Sequence, residues 1–114
     1  MVRVMATYLN LTADQRSQAQ AIFRESNQSA KPIRQQLRQT RTQLRSATKA
    51  GNAEQIQQLS ATEGTQRGQL AGIRATAFAK LYKTLTPEQQ QKLEEFQQGM
   101  RGGGRKAGGV VRND

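Results

Sequence analysis

The chain contains no cysteine, no histidine and no tryptophan. Without cysteine it has no disulfide framework and no thiolate nucleophile. Without histidine as well, the usual general base and the preferred ligands of zinc-type metals are missing. The only adjacent carboxylates, Glu94 and Glu95, point about 100° apart on a helix and do not converge on one substrate. We therefore expect a protein that is not an enzyme, with no cofactor and no metal.

Aromatic residues are also scarce, at 4% of 114 residues, and only 34% of the chain is hydrophobic. This is too little for a large globular core. No apolar run is long enough to span a membrane or to form the core of a signal peptide within residues 1–8. Glutamine, arginine, alanine, leucine and lysine dominate instead, a composition typical of long helices and coiled coils. We expect one domain at most and no membrane partner.

One short motif occurs twice, near the two ends of the chain. Its copies are Leu11-Thr12-Ala13-Asp14-Gln15 and Leu85-Thr86-Pro87-Glu88-Gln89. In each copy the threonine is placed to N-cap a helix, and the glutamine three positions later is placed to complete a capping box. An acidic residue falls in each first turn, where it suits the helix dipole. The motif therefore predicts the starts of two helices.

These motif residues, Leu11, Thr12 and Gln15 with Leu85, Thr86 and Gln89, resemble the repeated LTxxQ signature of the Spy/CpxP family. The resemblance covers residues 9–98 and implies a periplasmic protein whose signal peptide has been removed. It also implies an all-α, elongated fold that dimerises into a shallow cradle. Known members are ATP-independent chaperones or accessory proteins of an envelope-stress sensor. A metal-binding branch also exists, but the missing histidine and cysteine exclude that role here.

The first long helix is predicted from Thr12 to Lys49. Its small and apolar residues recur in alternating steps of four and three, which is a heptad seam. The seam consists of Ala19, Phe23, Ser26, Ala30, Ile33, Leu37, Thr40, Leu44 and Ala47. It keeps its phase through Pro32, which favours one kinked, continuous helix over a break near residues 29–32.

Two more helices are predicted after it. Gly51 suits the left-handed position that ends a helix, and Asn52 with Gln55 forms the next capping box. The second helix is therefore predicted over residues 52–84 and the last over residues 86–98. In the second helix, Glu63 and Gln66 interrupt the apolar seam. Glycine recurs there every four residues, which predicts either a smooth groove for a close partner or a locally weak helix; the three glycines are Gly64, Gly68 and Gly72.

These elements divide the chain into three parts. We expect a disordered N-terminus at residues 1–8, a helical LTxxQ domain at residues 9–98 and a flexible Gly/Arg-rich tail at residues 99–114. A helix of roughly 38 residues is about 57 Å long, so the two long helices are expected to form an elongated hairpin with the short C-terminal helix added. Such a hairpin leaves apolar surface uncovered. We therefore expect an antiparallel, cradle-like homodimer.

Positive charge is concentrated in one window of the first helix. The chain has 18 basic and 8 acidic residues, and no acidic residue lies between Asn27 and Ala53. Four arginines there are spaced to share one face, one position beyond seam residues; we name them the arginine stripe: Arg34, Arg38, Arg41 and Arg45. The predicted client-binding site is this stripe for electrostatic capture, with three seam residues that either grip clients or form core: Ile33, Leu37 and Leu44.

Three interpretations of this charge compete, and the simplest is a basic face that is merely solvated. A mixed basic and apolar surface suits an ATP-independent holding chaperone for unfolded or partly folded proteins. Its charge raises the association rate of acidic clients, and its apolar contacts bind exposed apolar segments without requiring a particular client shape. A pI of about 11.2 also fits a nucleic-acid-binding protein. The stripe lacks interleaved aromatics for stacking on bases, so nucleic acid is the less favoured partner. The favoured function is a periplasmic chaperone, with the stress-sensor accessory role as an alternative.

Overall fold

The computed structural model describes residues 2–99 of the chain, and within them it contains four helices and no strand. The helices are α1 (Val2–Leu9), α2 (Ala13–Ala50), α3 (Ala53–Thr84) and α4 (87–99). Helices α2 and α3 pack as a hairpin, and α4 is the short C-terminal helix. The predicted all-α hairpin is therefore confirmed. Of the predicted tail, residues 100–114 lie outside the described residues, and Gly99 is helical.

The chain forms two compact units. The second unit is Ala21–Lys80, which holds most of α2 and α3. The first unit combines the residues up to Gln20 with those from Leu81 onward, so it contains α1, α4 and the adjoining ends of α2 and α3. Each unit has its own buried apolar side chains.

Helix α1 was not expected. Its residues Met5, Ala6 and Leu9 are at most 2% exposed and share one face of the helix. Asn10 then adopts φ 57°, and the next amide, on Leu11, donates to the carbonyl of Ala6 at 3.1 Å, which closes the helix in a Schellman turn. For residues 2–8 the expectation of a disordered N-terminus is wrong, because packing of this apolar face in the first unit stabilises a helix that is too short to form alone.

Helix α2 runs without interruption through Pro32, as the unbroken seam predicted. Pro32 cannot donate to the carbonyl of Gln28, but both residues are exposed, so water can satisfy that carbonyl. Every seam residue of α2 is buried or half-buried. The helix ends as predicted, with Gly51 at φ 69° and the amide of Asn52 bonded to the carbonyl of Ala47 at 3.1 Å.

Helix α3 pairs with α2 in the second unit through a seam of uneven quality. Near one end, Phe23 and Phe78 pack edge to face with ring centroids 5.4 Å apart. In the middle, the two residues that interrupt the apolar seam lie at different depths: Glu63 is half-buried and Gln66 is buried. The glycine repeat makes no close contact: a Cβ atom added at any of its members would meet nothing within 4 Å, and these are Gly64, Gly68 and Gly72.

Candidate functional site

Both LTxxQ motifs form the capping boxes that the sequence predicted. The Gln15 amide N–H donates to Thr12 Oγ1 at 3.1 Å, and the Thr12 N–H donates to Gln15 Oε1 at 2.9 Å. The second copy repeats this geometry, with 3.2 Å from the Gln89 N–H to Thr86 Oγ1 and 3.0 Å from the Thr86 N–H to Gln89 Oε1. Each motif therefore satisfies two backbone donors at a helix start.

The two motifs also bond to each other inside the first unit. Gln15 Nε2 donates to Gln89 Oε1 at 2.8 Å, and Gln89 Nε2 donates to Gln15 Oε1 at 3.0 Å. Gln15 Nε2 donates further to the carbonyl of Thr84 at 3.0 Å. Gln89 Nε2 reaches the carbonyls of Leu9 and Asn10, each at 3.4 Å. This exchange between two distant motifs could not be read from either copy alone.

The leucines of the motifs serve the core of the first unit. Leu11 is 7% exposed and Leu85 is 8% exposed. They accompany four side chains that are fully buried in the same unit: Met5, Leu9, Leu81 and Leu93. In each motif the leucine packs in the core, the threonine caps the helix that follows, and the glutamine forms hydrogen bonds with the other motif. The leucine, threonine and glutamine of each LTxxQ motif therefore hold this unit together.

The arginine stripe lies on the outside of α2, and all four of its side chains are exposed. Arg41 Nε lies 3.5 Å from Glu63 Oε2, while Arg67 Nη2 approaches the same oxygen to 3.0 Å. The hydrogen bond from Arg67, with a smaller contribution from Arg41, lowers the pKa of Glu63. Among residues 2–99, Arg34, Arg38 and Arg45 form no ion pair.

The three apolar residues predicted beside the stripe lie at different depths. Leu37 is 6% exposed and belongs to the core of the second unit. Ile33 and Leu44 are half-buried. Ile33 lines an open groove.

This groove runs between α2 and α3 within the second unit and has a volume of about 500 Å³. We name it the isoleucine groove after its half-buried apolar residues Ile22, Ile33 and Ile73. Its remaining walls are small or uncharged polar residues, except for Glu25 and Lys80, which pair with each other at 3.4 Å. The groove carries no net charge and offers an apolar floor to a ligand.

The groove and the arginine stripe lie on opposite flanks of the α2 seam. Each stripe arginine follows a seam residue by one position, whereas Ile22 and Ser29 of the groove each precede one. One position is about 100° around a helix, so the two sets face away from each other. Sequence reasoning placed basic and apolar contacts on one surface. It did not predict the groove for two reasons. Ile22 does not belong to the α2 seam, and the sequence of α2 does not show which α3 residues form the opposite wall.

Other kinds of site find no support in the part of the chain that the structure describes. No group of three acidic side chains converges there as a metal site would require. None of the helices within residues 2–99 combines the length and the apolar character needed to cross a membrane.

The described residues form an all-α protein. In its first unit the two capping motifs bond to each other and their leucines join the buried core; in its second unit the hairpin has one basic and one neutral flank. The chain belongs to the LTXXQ motif family, whose model matches residues 2–97. This is the Spy/CpxP-type family that the repeated motif resembles. No curated protein and no solved structure matched the chain.

Proposed function

We propose that this protein is a non-catalytic, ATP-independent holding chaperone of the periplasm that binds unfolded or aggregation-prone proteins. The isoleucine groove supports this most directly, because Ile22, Ile33 and Ile73 keep part of their apolar surface open to solvent. A groove of about 500 Å³ accommodates a few side chains of an unfolded segment. Its hydroxyl and amide groups add hydrogen bonds that do not depend on the client sequence. Family membership agrees with this role.

In this proposal the arginine stripe attracts clients rather than gripping them. Its charges point away from the groove, so they act through the long-range field of the protein. Such a field raises the association rate of acidic clients and weakens as salt screens it. Ile33 grips the client in the groove, Leu37 supports the hairpin as core, and Leu44 contributes a half-buried contact beside the stripe.

A second copy of the chain is part of the proposal. Helix α1 exposes Val4 by 62% and Tyr8 by 46%, and these two residues lie one turn apart on the same face. An apolar patch of this kind is covered at low cost by an identical patch in an isologous dimer. We propose that the working form is this homodimer.

The experiment is light scattering of an acidic client as it aggregates without ATP, at low and high salt. Gly72 lines the groove and has open space around it, so Gly72→Gln fills the groove without removing any core contact. Gly68→Gln is the matched control, since Gly68 has the same open surroundings on the same helix and does not line the groove. A third variant replaces the whole arginine stripe with serine.

We expect near-stoichiometric suppression by the wild type and by Gly68→Gln, and several-fold weaker suppression by Gly72→Gln. High salt and the stripe variant should slow capture of the acidic client. Equal suppression by both glycine variants would remove the groove from the proposal. Failure to suppress aggregation at any salt would end the chaperone proposal and favour an accessory role towards one acidic sensor domain.

A further inference from the structure

The basic flank of the second unit extends from α2 onto α3. Arg67 shares the Glu63 carboxylate with Arg41 of the stripe, so Arg67 lies on the same flank of the hairpin. Arg74 is exposed and follows Arg67 by one heptad, which returns it to the same side of α3. We name the arginine stripe together with Arg67 and Arg74 the arginine face.

This face already stabilises one anion. The Glu63 carboxylate is held between guanidinium groups from two helices, with Arg67 donating through both Nε (3.3 Å) and Nη2 (3.0 Å) and Arg41 Nε at 3.5 Å. The lowered pKa of Glu63 agrees with that geometry. The other four arginines of the face have no acidic partner within residues 2–99: Arg34, Arg38, Arg45 and Arg74.

The like charges of the face repel one another. Arg34 and Arg38 stand four residues apart, as do Arg41 and Arg45, and like-charged pairs at this spacing destabilise a helix. No acidic residue of the chain lies between Asn27 and Ala53 to relieve them. A bound polyanion would relieve them together.

The surroundings of the face select the kind of polyanion. The exposed positions beside the arginines on α2 are uncharged and polar, and they include Gln35, Gln39, Thr42 and Ser46. The apolar groove lies on the opposite flank, and beside the stripe only the half-buried Leu44 adds an apolar contact, which is less than the apolar centre that a stable protein interface needs. Phosphate polymers bind almost entirely through charge and counterion release, and the arginine fork matches a phosphate group with two hydrogen bonds.

The arginine face offers no stacking contact to the bases of a nucleic acid. The only aromatic residues of the second unit are Phe23 and Phe78, which are half-buried and pack against each other. A strand of nucleic acid would therefore find no ring to stack on there. We propose that the arginine face binds a linear phosphate chain without bases, of the inorganic polyphosphate class. This inference shares the arginine stripe with the proposed chaperone function but makes no use of the isoleucine groove, so polyphosphate binding and client binding in the groove are measured separately.

The test is fluorescence anisotropy of end-labelled polyphosphate titrated with the full chain at several salt concentrations. If four phosphates are neutralised and each releases about 0.7 counterion, the slope of log K against log salt concentration is near −3. The affinity should then fall roughly fifty-fold between about 50 and 200 mM salt. The variant Arg34→Ser/Arg38→Ser/Arg45→Ser removes exposed side chains that form no ion pair within residues 2–99. We expect it to lose at least tenfold in affinity and to flatten the slope.

A charge-matched control removes three exposed basic residues of the first unit instead, as Arg3→Ser/Lys83→Ser/Lys92→Ser. It should keep nearly all of the affinity, and an equal loss in both variants would overturn the proposal in favour of net charge alone. Circular dichroism verifies that both variants keep their helices. Polyglutamate and mixed-sequence single-stranded DNA of equal charge serve as competitors. Stronger competition by polyglutamate would assign the face to acidic protein, and base-dependent competition by DNA would assign it to nucleic acid; either result overturns the proposal.

Discussion

Gln15 and Gln89 explain why the motif ends in glutamine. Each amide oxygen accepts from a threonine N–H of its own motif and from the other glutamine, while each amide nitrogen donates to the other glutamine and to a backbone carbonyl. Glutamate would cap the helix equally well, since capping needs only an acceptor. An ionised carboxylate cannot donate, so only an amide serves both purposes.

Replacement of Gln89 with glutamate therefore separates the two purposes. Gln89→Glu should keep the bond from the Thr86 N–H but lose the bonds donated to Gln15 and to the carbonyls of Leu9 and Asn10. We expect the free energy of unfolding in urea at pH 7 to fall by about 2 kcal/mol. Gln91→Glu, at an exposed position of the same helix, is the control and should change it little. Equal stabilities would mean that the exchange between motifs contributes nothing.

Glu63 makes stability depend on acid pH. Because its pKa is lowered in the folded chain, its contribution is present above the ordinary carboxyl range and is lost as pH falls through the lowered folded value. Glu63→Gln should therefore reduce the loss of stability between pH 6 and pH 3, measured by urea unfolding. The exposed Glu95, which forms no ion pair among residues 2–99, supplies the control Glu95→Gln. A pH dependence identical to that of the wild type would show that the two arginines do not stabilise the charged form.

Helix α3 contains a polar layer that weakens its pairing with α2. Gln66 is 9% exposed, and its Oε1 atom is buried without a hydrogen-bond partner. Thr40, buried in the seam of α2, donates its hydroxyl to the carbonyl of Gln36 in its own helix. The α3 side of the hairpin therefore contains a buried acceptor without a partner.

Gln66→Leu should stabilise the hairpin. A buried acceptor without a partner costs about 1–3 kcal/mol, and leucine has a similar size without that cost, so we expect a gain of about 1 kcal/mol or more. Thermal and urea unfolding measure it. The exposed Gln57 of the same helix provides the control, with little gain expected from Gln57→Leu. A destabilised Gln66→Leu would indicate that the buried amide is satisfied in solution.

Most helix boundaries of this chain follow from short-range sequence signals. The ends of α2 and the starts of α3 and α4 follow from caps and from Gly51, all of which act within four residues. The continuity of α2 through Pro32 follows from its seam. Helix α1 was missed because its eight residues contain no N-cap signal, and its stability comes from burial of Met5 and Leu9.

The chain as a whole carries a net charge of +10 and, in its second unit, separates that charge from its open apolar surface. Charge of one sign keeps such a protein soluble and speeds encounters with acidic partners. The neutral groove on the other flank leaves binding of apolar segments unhindered by like charge. A basic flank and a neutral apolar groove on one hairpin agree with the proposed capture and holding of clients.

Self-association is the remaining prediction. Sedimentation equilibrium should show a dimer of the full chain at micromolar concentrations, because the patch of Val4 and Tyr8 is exposed in the single chain. Val4→Gln/Tyr8→Gln should shift the equilibrium towards monomer by at least tenfold. The control substitution Thr7→Gln, at an exposed residue of the same helix, should not shift the equilibrium. A wild type that remains monomeric at high concentration would contradict the homodimer.

The sequence alone determined the helical class, the helix ends, the phase of the α2 seam and the position of the arginine stripe. Each of these follows from interactions between residues one to four positions apart, which a linear sequence displays directly. The tertiary structure decided the exchange between Gln15 and Gln89, the folding of α1, the burial of Gln66 and the separation of groove from stripe. These depend on contacts between distant segments, and helix periodicity does not specify which distant face each segment meets.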